Sequence, residues 1–290
     1  MPLTINTNAA AASASMHLSH NTEALRKSLT RLSSGSRIVQ PVDDAGGLAV
    51  SMKLESSILR LTGAHSNVQN AISFLEVQDG VLESAGKVVN RMIELKGLSQ
   101  DVMKNSSDVG NYNREFQDLQ GQLYDMTSVK FNGVSLFAQF SSEANNAPGV
   151  FNDPALDNTV SVYVSADGSS GPKVSVSKSM LLSALTIDAG DLSAKAFTQA
   201  GTGDIKSFAA ASAATRIDLD DVSVGVFTQA LENVATLRAD NGASMSRLNF
   251  ASDNIAVTKT NMQAANGRII DVDIAAESTR MAKYNVLVQA

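Results

Sequence analysis

Residues 54–93 read LESSILRLTGAHSNVQNAISFLEVQDGVLESAGKVVNRMI, and within them Leu54, Leu61, Val68, Leu75, Leu82 and Val89 recur every seven residues. Ile58, Ile72 and Ile93 fall four places behind three of these. Steps of four and seven set apolar side chains on one helical face, and a sustained heptad is the period of a helix lying along another helix. The run predicts one helix from about 45 to about 104. A shorter stripe, Phe116, Leu119, Leu123 and Met126, predicts a second helix from about 111 to about 129 with Gly110 near its start, the two forming a hairpin.

A matching pattern lies toward the other end. Phe227, Val234, Leu248, Ile255, Met262 and Ile269 share one heptad position, interrupted only by Asn241. Ala230, Leu237, Ala251, Ala265 and Val272 fill the companion position, with Ser244 and Thr258 as polar exceptions. A heptad period predicts a left-handed coiled coil, and small residues let helices approach closely. Near the amino terminus Leu18, Leu25, Leu29 and Leu32 continue the theme, and that helix should end near Gly35. The following SRIVQPVDDAGG, residues 36–47, holds Pro41 and two glycines, which break helical periodicity. It reads as an elbow comprising Gly35, Arg37, Asp43, Asp44 and Gly47, with Asp43 or Asp44 as N-cap of the next helix.

Between the helical ends the composition shifts to Gly, Ser, Asn, Asp and Pro. TVSVYVS at 159–165 and KVSVSK at 173–178 alternate across the turn-rich ADGSSGP, which predicts a β-hairpin. FAAASAAT at 208–215 is open between helix and linker. The fold class is mainly α: long antiparallel helices forming a coiled-coil or bundle rod from both chain ends, with a small hairpin-rich insertion. Helical ends with apolar seams must pair with each other or with another molecule, which suits a polymerising subunit.

Composition removes several alternatives. The chain of 290 residues has a net charge of −6, and its 23 basic residues form no run that tracks a phosphate backbone. With no cysteine there is no disulfide framework, thiolate metal site or cysteine nucleophile. No stretch approaches a membrane span, and the first twenty residues lack the basic and apolar regions of a general secretory signal.

The short motifs add a resemblance. Leu32-Ser33-Ser34-Gly35-Ser36-Arg37-Ile38 followed by Asp43-Asp44-Ala45-Gly46-Gly47-Leu48-Ala49-Val50-Ser51 closely resembles the amino-terminal signature of bacterial flagellins. Arg114-Glu115-Phe116 and Phe131-Asn132-Gly133-Val134 are similar to two further family elements. So are Arg238-Ala239, Gly242-Ala243, Arg247-Leu248 and the run from Gly267 to Glu277. The resemblance implies a structural subunit that polymerises with itself into the extracellular flagellar filament for motility. It implies export in an unfolded state through the flagellar type III apparatus, with an export chaperone and filament cap or junction proteins as partners. By it, 1–42 and 255–290 form an inner tube and 43–140 and 215–254 form a rod, while 141–214 is a variable exposed insertion. A hook-filament junction protein is the nearest rival, and a monomeric secreted coiled-coil effector or adhesin is the rival of another class. Two departures accompany the match. The family's carboxyl end usually runs on past the equivalent of Gln289-Ala290, and Gly46 stands in the elbow motif where Ala is usual, lowering helix propensity by about 1 kcal/mol.

Physical chemistry extends that reading. Short isolated helices are marginal in water, so the terminal segments are expected to order on assembly. No catalytic, cofactor or metal site is expected. His17 and His20 share a helix face without a third ligand in sequence, His65 falls in a seam, and the pairs Asp43-Asp44 and Asp220-Asp221 precede helical patterns, where carboxylates cap. The resemblance also implies a patch for a vertebrate Toll-like receptor at Arg91, Leu95 and Glu115, altered by Ile93 and by Lys96-Gly97. Ser169, Ser170, Ser175 and Ser177 are candidate O-glycosylation positions.

Overall fold

A computed structural model describes residues 8–138, 159–188 and 205–289. The first seven residues, the tracts 139–158 and 189–204 of the expected insertion, and Ala290 lie outside the described residues, as does the export-read amino terminus. The chain divides into two compact units, one of Met1–Gly63 with Ile255–Ala290 and one of Ala64–Asn254. Five long helices dominate the described residues: α1 (Ala9–Ser34), α2 (Ala45–Ser99), α3 (Ser106–Thr127), α5 (Val224–Ile270) and α6 (Ile274–Gln289), with the single-turn α4 at Leu181–Ala184.

In the first unit α1 packs against α6. The side chain of Asn8 caps α1 by accepting from the amides of Ala10 and Ala11, and Gly35 ends the helix at φ 71°, the left-handed C-cap that glycine takes without a Cβ penalty. On α1 only Ser28 is buried; its hydroxyl donates to Glu277 Oε1 of α6 at 2.7 Å. Glu277 is itself buried and takes a second bond from Arg280. Both terminal segments are helical in this structure, where they pack against each other.

The second unit holds the main apolar core. Val89, Met92, Phe116, Leu123, Phe227 and Val234 from α2, α3 and α5 meet there. Phe227 packs edge-on to Phe116, with ring centres 5.8 Å apart, and stacks on Phe208 at 4.8 Å. FAAASAAT is therefore neither helix nor loose linker at its start: Phe208, Ala209 and Ala210 are buried, and only Ala213–Thr215 forms a 3-10 turn.

Helix ends differ from those expected. α2 stops at Ser99, where the amides of Gln100 and Asp101 turn back to Gly97 and Leu98 and the Asp101 side chain accepts from Met103. α3 starts earlier, because Asn105 and Asp108 form a reciprocal capping box, leaving Gly110 inside the helix. The last helix does not run unbroken to the carboxyl end: residues 271–273 separate α5 from α6.

Among the described residues there are three antiparallel two-stranded ribbons. β1 (Lys130–Phe131) and β2 (Val134–Ser135) close over Asn132 and Gly133, at φ 49° and 80°, the Asn-Gly pair a tight hairpin turn favours. β3 (Thr159–Tyr163) and β4 (Lys173–Ser177) pair throughout, as expected. β5 (Thr186–Asp188) and β6 (Ile205–Ser207) pair without having been foreseen. The expectation that 141–214 is exposed needs correcting, since Val176, Leu181, Leu185, Ile187 and Phe208 are buried. Apolar alternation in β4 and the Met180–Leu182 run turn this stretch inward.

Candidate functional site

The elbow residues come together in the first unit. The Arg37 amide donates to the Ile270 carbonyl at 2.5 Å, and its guanidinium donates twice to the Ile269 carbonyl, at 3.2 and 2.9 Å. Val272 returns an amide bond to the Gly35 carbonyl, and Ser36 bridges Asp271. The last carbonyls of α5, which have no partner inside their own helix, are thus satisfied from the elbow. Asp273 then caps α6, accepting from Ala275 and Ala276 at 3.0 and 3.1 Å. These contacts break the helix at 271–273, although Ile269 and Val272 continue the heptad.

The two elbow aspartates divide the work. Asp44 is the N-cap of α2, accepting from the Gly47 amide at 2.8 Å. A Cβ at Gly47 would stand 2.5 Å from Asp44 Oδ2 and 3.0 Å from Ile38 Cδ1, so the close turn requires glycine. Asp43 faces back to α1, paired with Lys27 and 3.6 Å from Arg31, and accepts from the amides of Val39 and Gln40. The hydrogen bond from Lys27, aided by those amides, holds the Asp43 carboxyl below its usual value against the opposing effect of burial. Asp220 and Asp221 do not cap α5. They lie in a 3-10 turn, Leu219–Asp221, and the residue preceding the helix is Ser223.

Seam residues fall in graded environments. In the first unit Leu61 and Ile255 are buried, Leu25, Leu32, Leu54, Met262 and Ile269 are half-buried, and Leu18 is 49% exposed. In the second, Val68, Leu75, Leu82, Val89, Val234 and Leu248 are buried. Within that unit α2 and α5 run antiparallel, with His65 against Ser252, Leu75 against Asn241 and Asp79 against Arg238. Ser51 donates to Asn266 in the first unit. The terminal helices leave Met16, Leu18, Leu29, Ile274, Val286 and Leu287 exposed.

Of the expected receptor patch, Arg91 and Glu115 meet at 2.8 Å, and Glu94 joins at 2.7 Å. Bonds from Glu115 and Glu94 raise the Arg91 pKa. Leu95 does not belong to the surface: it is fully buried in the core. His17 and His20 are exposed on α1. Among the described residues no cluster of three or more His, Cys, Asp or Glu forms a metal site, and no helix is long and apolar enough to cross a membrane. Sequence reasoning missed Asp273, Ser28 and Glu277. An aspartate ahead of an alanine-rich helix was the available signal for the first.

Helices from both chain ends pair with each other and leave single apolar side chains exposed, which defines a mainly helical protein whose two chain ends fold together. Known proteins agree. Residues 5–142 match the bacterial flagellin N-terminal helical region, and residues 224–290 match the C-terminal helical region. The chain is 30% identical over 290 residues to a flagellin of Bacillus subtilis (strain 168), covering 99% of this chain and 93% of that protein. It is also 30% identical over 296 residues to a flagellar filament 33 kDa core protein of Treponema phagedenis, covering 99% and 92%. A solved structure described as a flagellar hook-associated protein of Vibrio parahaemolyticus shares the fold at 13% identity, with a TM-score of 0.57 over 79% of this chain and all of that one. The chain belongs to the bacterial flagellin family and is a structural subunit of the flagellar filament.

Proposed function

We propose that this subunit is exported and assembled outside the cell, that it carries no catalytic activity, and that α1, α6 and the adjoining ends of α2 and α5 are its assembly surface. The observation that carries this is the set of apolar side chains left exposed on two helices already packed together, Met16, Leu18 and Leu29 on α1 with Ile274, Val286 and Leu287 on α6. Covering such side chains contributes about 25 cal/mol per Å² of apolar surface removed from water, and a head-to-tail contact between copies gives an open helical polymer. On this reading 1–42 and 255–290 pack in the interior of the filament, 43–140 and 215–254 surround them, and part of 141–214 faces outward.

Export through the type III apparatus with a chaperone, and contact with cap or junction proteins, follow from the family and form part of the proposal. A vertebrate Toll-like receptor would meet Arg91 and Glu115 already paired with each other and without Leu95, which makes for weak recognition. Seeded elongation tests the assembly surface. Leu18→Asp should keep the helical signal of the monomer and abolish growth on filament seeds, whereas Leu61→Asp should unfold the subunit because it buries a carboxylate. Undiminished elongation by Leu18→Asp would overturn the assignment, and electron microscopy of the product separates a filament from a short junction.

A further inference from the structure

Apolar burial does not by itself fix how α5 is placed along α2. In the second unit Val68, Leu75, Leu82 and Val89 repeat every seven residues, and Phe227, Val234 and Leu248 keep the same period with Asn241 at the skipped position. A slide of one heptad, about 10 Å, sets apolar residue against apolar residue again. The observed register also carries polar contacts between the two helices, His65 with Ser252 and a cluster around Asp79, Arg238 and Asn241.

Asn241 takes a heptad position otherwise filled by Phe227, Val234 and Leu248, is only 3% exposed, and donates to the Leu75 carbonyl at 2.9 Å. One turn along α2, the buried amide of Gln78 donates to the Leu136 carbonyl at 2.7 Å. Asp79 beside it takes a two-point bond from Arg238, 3.0 Å at each oxygen. Gln78 Oε1 and Asn241 Oδ1 are buried without a hydrogen-bond donor. Leucine at Asn241 would remove one of these unsatisfied acceptors, so the polar residue at this seam position comes at a cost in stability.

A heptad slide in either direction separates the polar groups. Arg238 would face Ile72 or Gly86 in place of Asp79, and Asn241 would lie beside Val68 or Leu82 in place of Leu75. We propose that Asp79 on α2 with Arg238 and Asn241 on α5 selects the axial register of the two helices, at a cost in stability. A polar residue at one seam position is a known way to specify helix pairing, and here it is joined by an ion pair that the slid arrangements lack.

The chain has no cysteine, so introduced thiols report register cleanly in the monomer, independently of assembly. His65 and Ser252 approach to 3.3 Å, and the pair His65→Cys with Ser252→Cys should cross-link on oxidation. His65→Cys with Met245→Cys or Lys259→Cys, one heptad to either side, should not. In the background Arg238→Met with Asn241→Leu, the helical signal should persist to higher temperature and the slid pairs should form at a readily measured fraction of the native yield. Exclusive cross-linking of the native pair in that folded background would overturn the proposal. Should it fail to fold, Arg238→Ala with Asn241→Ala is the second background. Native-only cross-linking there, or failure of both to fold, also overturns it.

Discussion

Arg37 and Ile269 are joined by two hydrogen bonds from one guanidinium to one carbonyl, at 3.2 and 2.9 Å. The contact ties the elbow after the first helix to the place where the fifth ends. Because the Arg37 side chain is half exposed, its removal should sit at the low end for a charge-assisted bond, about 1.5 kcal/mol. In Arg37→Ala the amide of Val272, which donates to Gly35, should exchange hydrogen faster than in the parent. Unchanged protection there would show that the backbone bonds at the junction secure it without the guanidinium.

Gly47→Ala should weaken the start of α2. The added Cβ displaces Asp44 from the amide it caps, and losing an N-cap costs about 1 kcal/mol. Gly46→Ala should act in the opposite direction, since its Cβ would meet only Asp44 Oδ1 at 3.6 Å, an ordinary contact, and alanine has the higher helix propensity by about 1 kcal/mol. Thermal melts of the two variants against the parent decide the ordering.

The Asp43 carboxyl titrates below its ordinary value, first because Lys27 donates to it. A group depressed in the folded state contributes stability above its unfolded value, about 3.9, and loses that contribution as pH falls through the lower folded value. Asp43→Asn should therefore be less stable than the parent at neutral pH, and the difference should shrink as pH falls below about 4. A gap between the two melting curves that stays constant across that window would disprove the linkage.

Phe227 is fully buried between Phe116 and Phe208, so Phe227→Ala should cost about 3–5 kcal/mol, read by urea unfolding. Phe208→Ala in the same chain should add less than its separate cost, since the two rings share one contact. Strict additivity would mean that Phe208 is held by the β5–β6 ribbon rather than by the ring below it.

Arg238 and Asp79 should give a coupling energy of no more than about 1 kcal/mol in a double-mutant cycle, because both side chains retain solvent contact, at 40% and 34% exposure. A much larger value would place this pair, rather than Asn241, at the centre of the register-setting layer.

The long helices were legible because a seven-residue apolar repeat survives any local detail: Val68, Leu75, Leu82 and Val89 are buried where the period puts them. The elbow was legible in part, since Gly35 and Asp44 follow local rules for ending and starting a helix. The break between α5 and α6 was not, because Ile269 and Val272 keep the repeat and the interruption is made by Arg37, more than two hundred residues away in sequence. Leu95 was misplaced because a position matched by motif says nothing about which way a heptad face turns. The strand pair at Thr186–Asp188 and Ile205–Ser207 escaped notice because each run is only three residues long.

The stretch between the helical ends is not a detachable ornament. Leu181, Leu185, Ile187 and Phe208 lie in the same core as Val89 and Phe227, so exchanging all of 141–214 for foreign cargo would remove part of that core. A graft confined to the exposed turn at Asp167–Ser170, which joins β3 to β4, spares every one of those residues. That turn is where a displayed peptide can be carried without the host noticing.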